Sequence, residues 1–214
     1  MKKNLTEIVF ILDRSGSMSG LEKDTIGGFN GLIEKQKQEE GEAFISTVLF
    51  DNRTEVLHDR VSLHKIQPMT EKEYFVRGST ALLDALGDAI RHMGVVYKYA
   101  REEDRPEKTM FIIMTDGYEN ASTKYRYQDV QRMIGRQKEK YGWEFMFLGA
   151  NMDAISEAAK YGIDADMAVE YNCDKEGTAI SYAAVCDAVS MVRACGSVGA
   201  GWKKNIEKDR RRRS

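Results

Sequence analysis

The chain has 214 residues, of which 42% are hydrophobic and 31% charged, with a formal charge of −2. That composition fits an ordinary soluble globular protein built as one α/β domain. No apolar run approaches the ~18 residues of a membrane span, so no membrane-spanning helix is expected. The three cysteines, Cys173, Cys186 and Cys195, form no C-x-x-C pair, so neither a disulfide framework nor a thiolate zinc site is expected, and a reducing, cytoplasmic setting follows.

The first apolar run, Ile8-Val9-Phe10-Ile11-Leu12, is too short for a secretory h-region of ~7 or more residues and reads as a buried strand. It runs into Asp13-Arg14-Ser15-Gly16-Ser17, where oxygen-bearing side chains alternate. A helix follows, with Leu21, Thr25, Gly28, Phe29 and Leu32 on one face. Gly27, Gly28 and Gly31 interrupt that helix, and close packing of the helix on the sheet is the expected reason. The second strand is Phe44–Phe50, and Arg53–His58 reads as a short antiparallel edge strand joined to it through Asp51-Asn52.

A second helix is marked by Leu82, Leu83, Leu86, Ile90 and Met93, and the strand Met110–Met114 leads into Thr115-Asp116-Gly117. The spacing of Tyr127, Val130, Met133, Ile134 and Gln137 predicts a third helix. Phe145–Leu148 and the weaker Met167–Tyr171 are further strands, and a last helix covers about 175–195. Strands alternating with helices imply crossover units. The predicted architecture is therefore α/β, a three-layer Rossmann-like sandwich whose six-stranded sheet is mostly parallel, with one antiparallel edge strand. Residues 4–195 make the domain. Residues 196–201 (GSVGAG) read as a flexible joint, and 203–213 (KKNIEKDRRRR) as a solvated, disordered basic end. That end carries a local charge of +5, which leaves −7 on the rest of the chain.

In an open parallel sheet, ligands bind beyond the carboxyl ends of the strands. This chain places Asp13, Asp51, Asp116 and Asn151 there. Each alone has a plain structural reading, as a turn residue or a helix cap. Together, Asp13, Ser15 and Ser17 offer hard oxygen donors with no His or Cys beside them, which suits Mg²⁺, Mn²⁺ or Ca²⁺ and not zinc. Two carboxylates and several hydroxyls leave such a cation short of negative charge, so an acidic group from outside would be its best further ligand.

Asp13-Arg14-Ser15-Gly16-Ser17, Gly78-Ser79-Thr80 and Thr115-Asp116-Gly117 resemble the von Willebrand factor A family and its metal-ion-dependent adhesion site, D-x-S-x-S with a distant Thr and a distant Asp. The resemblance covers nearly all of 4–195 and is to stand-alone intracellular members of bacterial or phage type. It implies that Asp13, Ser15, Ser17, Thr80 and Asp116 hold the metal. The serines would bind it directly, and the Thr and acids directly or through water. A partner protein's Glu or Asp would complete the octahedron. In the related integrin domains the last helix moves between closed and open states; here that would be the segment around Ala179–Cys195. Asp51, Glu119 and Asn151 would lie near the rim.

The rival class is a Mg²⁺-dependent hydrolase or phosphotransferase. Ser15 stands where a D-x-D phosphatase has its second acid, and Met18 stands at the nucleophile position of Gly16–Gly20. His58, His64 and His92 read as surface or packing residues, and no phosphate-binding glycine motif is present. The expectation is therefore a binding domain and not an enzyme. A domain of this family acting structurally without metal is the other alternative. Tyr118, Tyr125 and Tyr127 either line a binding rim or pack loops. The cysteines read as core or near-surface thiols. The arginine-rich end could contact nucleic acid through its charge alone, but it has no device for reading bases, and no nucleic acid or membrane partner is expected.

Overall fold

The computed structural model describes residues 1–213. Its strands are β1 (Lys2–Asp13), β2 (Glu42–Phe50), β3 (Thr54–Ser62), β4 (Pro106–Thr115), β5 (Glu144–Ala150) and β6 (Ala168–Tyr171). They form one sheet in the order β3-β2-β1-β4-β5-β6, with β3 antiparallel to β2 and every other pairing parallel. The helices are α1 (Glu22–Gln36), α2 (Leu82–Tyr99), α3 (Tyr127–Tyr141), α4 (Ala154–Tyr161), α5 (Lys175–Cys195) and α6 (Lys204–Arg213). The edge strand runs on to Ser62, four residues past the RTEVLH segment.

Alternation along β1 explains the three layers. Ile8, Phe10 and Leu12 face α1 and α5, where they pack with Phe29, Leu32, Val185 and Val189. Val9 and Ile11 face the other way, into the core that α2, α3 and α4 make with Leu86, Ile90, Val130, Ile134 and Ala158. From Ile8 to Leu12 the strand is buried on both faces, so that stretch is apolar throughout.

Gly28 is where α1 meets α5. A Cβ there would lie 2.3 Å from the Tyr182 ring. The expected close packing is real at that residue, but its partner is α5 and not the sheet. Gly27 and Gly31 have nothing within 4 Å of a Cβ, so packing explains neither.

The basic end is not a solvated tail. Residues 199–203 turn the chain back onto the domain, and α6 lies against β6 and α5. Trp202 and Ile206, four residues apart, are both buried and join the α1/α5 core. The Trp202 indole donates to Asp166 O at 2.9 Å, and Lys203 Nζ donates to Ala165 O and Ala168 O. Two large apolar side chains, Trp202 in the turn before α6 and Ile206 in its first turn, supply the burial that the charge count concealed. Three of the arginines pair with acids of the domain at the surface: Arg210 with Glu170, Arg212 with Glu176, and Arg213 with Asp174. Among the described residues no helix is long and apolar enough to cross a membrane.

Candidate metal centre

Three loops at the carboxyl ends of β1 and β4 and before α2 bring the five candidate side chains together. After Asp13 the chain makes a short 3-10 turn, Gly16–Met18, with Met18 turned into the core. The segment before α2 is laid beside it: Arg77 N donates to Arg14 O at 2.9 Å, and Gly16 N donates to Gly78 O at 3.1 Å. Gly78 has φ +68, the left-handed region that favours glycine, and an added Cβ would lie 2.3 Å from Asn52 Oδ1.

The hydroxyls are linked in series. Thr80 Oγ1 lies 3.1 Å from Ser15 Oγ, which lies 3.0 Å from Ser17 Oγ, and Ser17 Oγ donates to Asp116 Oδ1. Asp13 joins from below: its Oδ1 accepts from Ser15 N at 2.6 Å and its Oδ2 from Thr115 Oγ1 at 2.5 Å. All five side chains predicted from the sequence therefore sit in one hydrogen-bonded cluster. Gly117 borders it so closely that a Cβ would lie 2.9 Å from Thr80 Oγ1 and 3.2 Å from Ser17 Oγ.

Electrostatics favour a cation here. Asp13 is 1% exposed, and burial pushes its carboxyl up to about 6 despite hydrogen bonds from Thr115 and Ser15. Burial also raises Asp116, against hydrogen bonds from Ser17 and Cys173. Neither carboxylate is ion-paired to a Lys or Arg among the described residues. A cation would supply the charge partner that both lack, and the donor set of hydroxyl and carboxylate oxygens is the one that Mg²⁺ and Mn²⁺ prefer. These residues fit such an ion. With only two carboxylates and no His, they form no group of three or more acidic, His or Cys ligands.

The neighbouring Asp51 is not a rim residue. It is fully buried and takes hydrogen bonds from Arg14 Nε at 3.0 Å and Arg77 Nε at 2.7 Å. Burial opposes its charge, but the bonds from Arg77, the Arg53 N–H and Arg14 outweigh it and hold the carboxyl below its usual range. Glu119 is occupied too, accepting from Leu83 N at the start of α2 and from Ala121 N and Ser122 N. Asn151 adopts φ +55 at the turn after β5.

Sequence reasoning missed several supports of the cluster. Tyr74 OH donates to Asp13 O at 2.5 Å. Asn120 takes the Thr80 N–H on its side chain, and its own N–H is given to Thr80 O. Thr115 was visible as the residue before Asp116; Tyr74 and Asn120 lie in loops with no pattern to mark them. Of the three tyrosines, Tyr118 is half-exposed, whereas Tyr125 packs on Gly87 and Tyr127 OH donates to Glu157. His58 bonds to Thr47 and His92 to Asp59, and among the described residues no histidine is hydrogen-bonded to the cluster.

This architecture is the von Willebrand factor A fold. A von Willebrand factor type A protein from Catenulispora acidiphila superposes with a TM-score of 0.56 at 17% identity, over 89% of this chain and 43% of that one. Proximal thread matrix protein 1 from the mussel byssus, solved with a zinc-occupied metal-ion-dependent adhesion site, gives 0.60 at 14% identity over 89% and 47%. The manganese-loaded TRAP protein of Plasmodium vivax gives 0.58 at 18% identity over 84% and 73%. The chain thus spans less than half the length of the mussel and Catenulispora proteins. No protein-family model and no curated protein sequence matches it.

Proposed function

We propose that this chain is a divalent-metal-dependent protein-binding domain that captures an acidic side chain of its partner through a metal held by Asp13, Ser15, Ser17, Thr80 and Asp116. One observation carries the reading: five oxygen-bearing side chains from three separate loops converge in one cluster whose two buried carboxylates lack a cationic side chain. When bound, the metal supplies an open coordination position for the partner's carboxylate. Mg²⁺ or Mn²⁺ is the proposed ion. Solved relatives of the fold carry manganese in one case and zinc in another, which supports a divalent cation.

Among the described residues no histidine is hydrogen-bonded to the cluster. The carboxylate to which Ser17 donates, Asp116, is itself one of the proposed metal ligands, which leaves no separate base to activate the serine. Binding without chemistry is therefore the favoured reading over a hydrolase. The free cysteines suit a reducing, cytoplasmic setting. The test is a pull-down with and without EDTA, comparing wild type with Asp13→Ala. Partner recovery is expected to need both metal and Asp13. Equal recovery by Asp13→Ala, or in EDTA, refutes the proposal.

A further inference from the structure

The arginine-rich helix α6 grips a turn that borders the cluster. The turn between β6 and α5 carries Asn172, Cys173 and Asp174. Cys173 Sγ lies 3.7 Å from Asp116 Oδ2, the carboxylate oxygen not used by Ser17. On its other side the turn is gripped by α6. Asn172 Nδ2 donates to Asp209 Oδ2 at 2.8 Å, and Asp174, whose Oδ1 caps α5 through Gly177 N, accepts from Arg213 on its Oδ2 at 2.5 Å.

Asp209 is the hub. It is 5% exposed, and it is bonded by Arg212 at 3.0 Å, by Arg213 and by Asn172. Arg212 continues to Glu176 in the first turn of α5. The turn is also pressed onto α5, since a Cβ on Gly177 would lie 2.1 Å from Asn172 O. Three side chains of this segment, Asn172, Asp174 and Glu176, thus have their polar atoms set by a helix that begins about thirty residues further on.

We infer that α6 is a clamp on the turn bordering the metal cluster, and that Asp209 is its positioning residue: it fixes Asn172 and Asp174, hence Cys173, hence the wall against which Asp116 presents its free oxygen. The inference rests on the metal reading for its consequence, since a looser wall lets Asp116 turn away from the ion. A buried, hydrogen-bonded residue behind a ligand orients that ligand, and its loss weakens metal affinity although every ligand remains. Exposed arginine pairs alone would contribute little; the buried carboxylate that joins two guanidiniums and an amide sets the geometry.

The experiment uses the full chain as wild type, Asp209→Ala and Asp209→Asn, with two readouts. The first is the N-ethylmaleimide labelling rate of Cys173 in EDTA, resolved from Cys195 by peptide mass spectrometry. The second is Mn²⁺ affinity by electron paramagnetic resonance. Asp209→Ala is expected to label several-fold faster at Cys173 with Cys195 unchanged, and to bind Mn²⁺ about tenfold more weakly. Asp209→Asn, which keeps an acceptor for Asn172 but loses the charge, is expected to fall between. A Cys173 rate in Asp209→Ala equal to wild type overturns the clamp. Faster labelling with unchanged Mn²⁺ affinity, in a wild type that binds the ion, overturns the positioning role. A wild type that takes up no Mn²⁺ refutes the metal reading alone, and the labelling rates then decide the clamp by themselves.

Discussion

Gly117→Ala is the sharpest perturbation of the proposed site, because it adds one methyl and removes no ligand. The new Cβ would lie 2.9 Å from Thr80 Oγ1 and 3.2 Å from Ser17 Oγ, so the threonine must give way. Its backbone cannot retreat: Thr80 N is held by Asn120 Oδ1 at 2.9 Å, and Thr80 O accepts from Asn120 N and Ala121 N at 3.0 and 3.1 Å. Rotation of the side chain remains, and it breaks the Thr80–Ser15 bond, a loss of about 0.5–1.5 kcal/mol. For the metal, displacement of one ligand is expected to weaken affinity about 10- to 100-fold. With Mg²⁺ at about one hundred times the wild-type Kd, stabilisation by mass action is about 2.7 kcal/mol. At the same concentration it falls to about 1.4 kcal/mol for a tenfold weaker site and about 0.4 kcal/mol for a hundredfold weaker one. The assay is thermal melting with EDTA and over a Mg²⁺ series, where about 1 kcal/mol moves Tm by roughly 2–4 °C in a chain of this size. A Gly117→Ala protein whose Mg²⁺-induced shift equals wild type refutes the placement of the ion beside Thr80 and Ser17.

Stability without metal is expected to fall as pH rises from about 4 to about 6. Asp13 titrates higher folded than unfolded, so the folded chain binds the extra proton; its stabilising effect is complete below the ordinary 3.8 and lost as pH passes about 6. The total is at most about 3 kcal/mol, read by urea titrations in EDTA, and saturating Mg²⁺ should flatten it. A metal-free protein equally stable at pH 4 and pH 6.5 contradicts the buried, unpaired Asp13. Gly28→Ala is expected to cost about 1–3 kcal/mol by driving a methyl into Tyr182, whereas Gly27→Ala, with open space around it, should stabilise by up to about 1 kcal/mol. Equal effects at the two positions would mean that α1 and α5 do not touch at Gly28. Ile206→Ala should destabilise by about 2 kcal/mol or more in the same titrations, and a neutral result would return α6 to solvent.

The fold was legible because its strands are buried on both faces, so Ile8–Leu12, Met110–Met114 and Phe145–Leu148 stand out as unbroken apolar runs. The cluster was legible because three of its members alternate in one turn and the other two open short loops of recognisable composition. What was not legible depends on contacts between distant segments. Asp51 reads as one more acid at a strand end until Arg14 and Arg77 are seen to neutralise it. Gly28 reads like Gly27 until Tyr182 arrives from a helix about 150 residues later. The end of the chain misleads most, because seven basic residues outweigh Trp202 and Ile206 in any count of composition, whereas burial is decided by those two.

Folding of that end also changes what a polyanion would meet. Along the sequence it is a run of positive charge, but on the molecule Glu170, Asp174, Glu176, Glu207 and Asp209 stand among its arginines. Alternating signs a few ångströms apart cancel within the ~8 Å over which fields persist at physiological ionic strength. Retention on heparin would therefore track the unfolding of α6, not the number of arginines it contains.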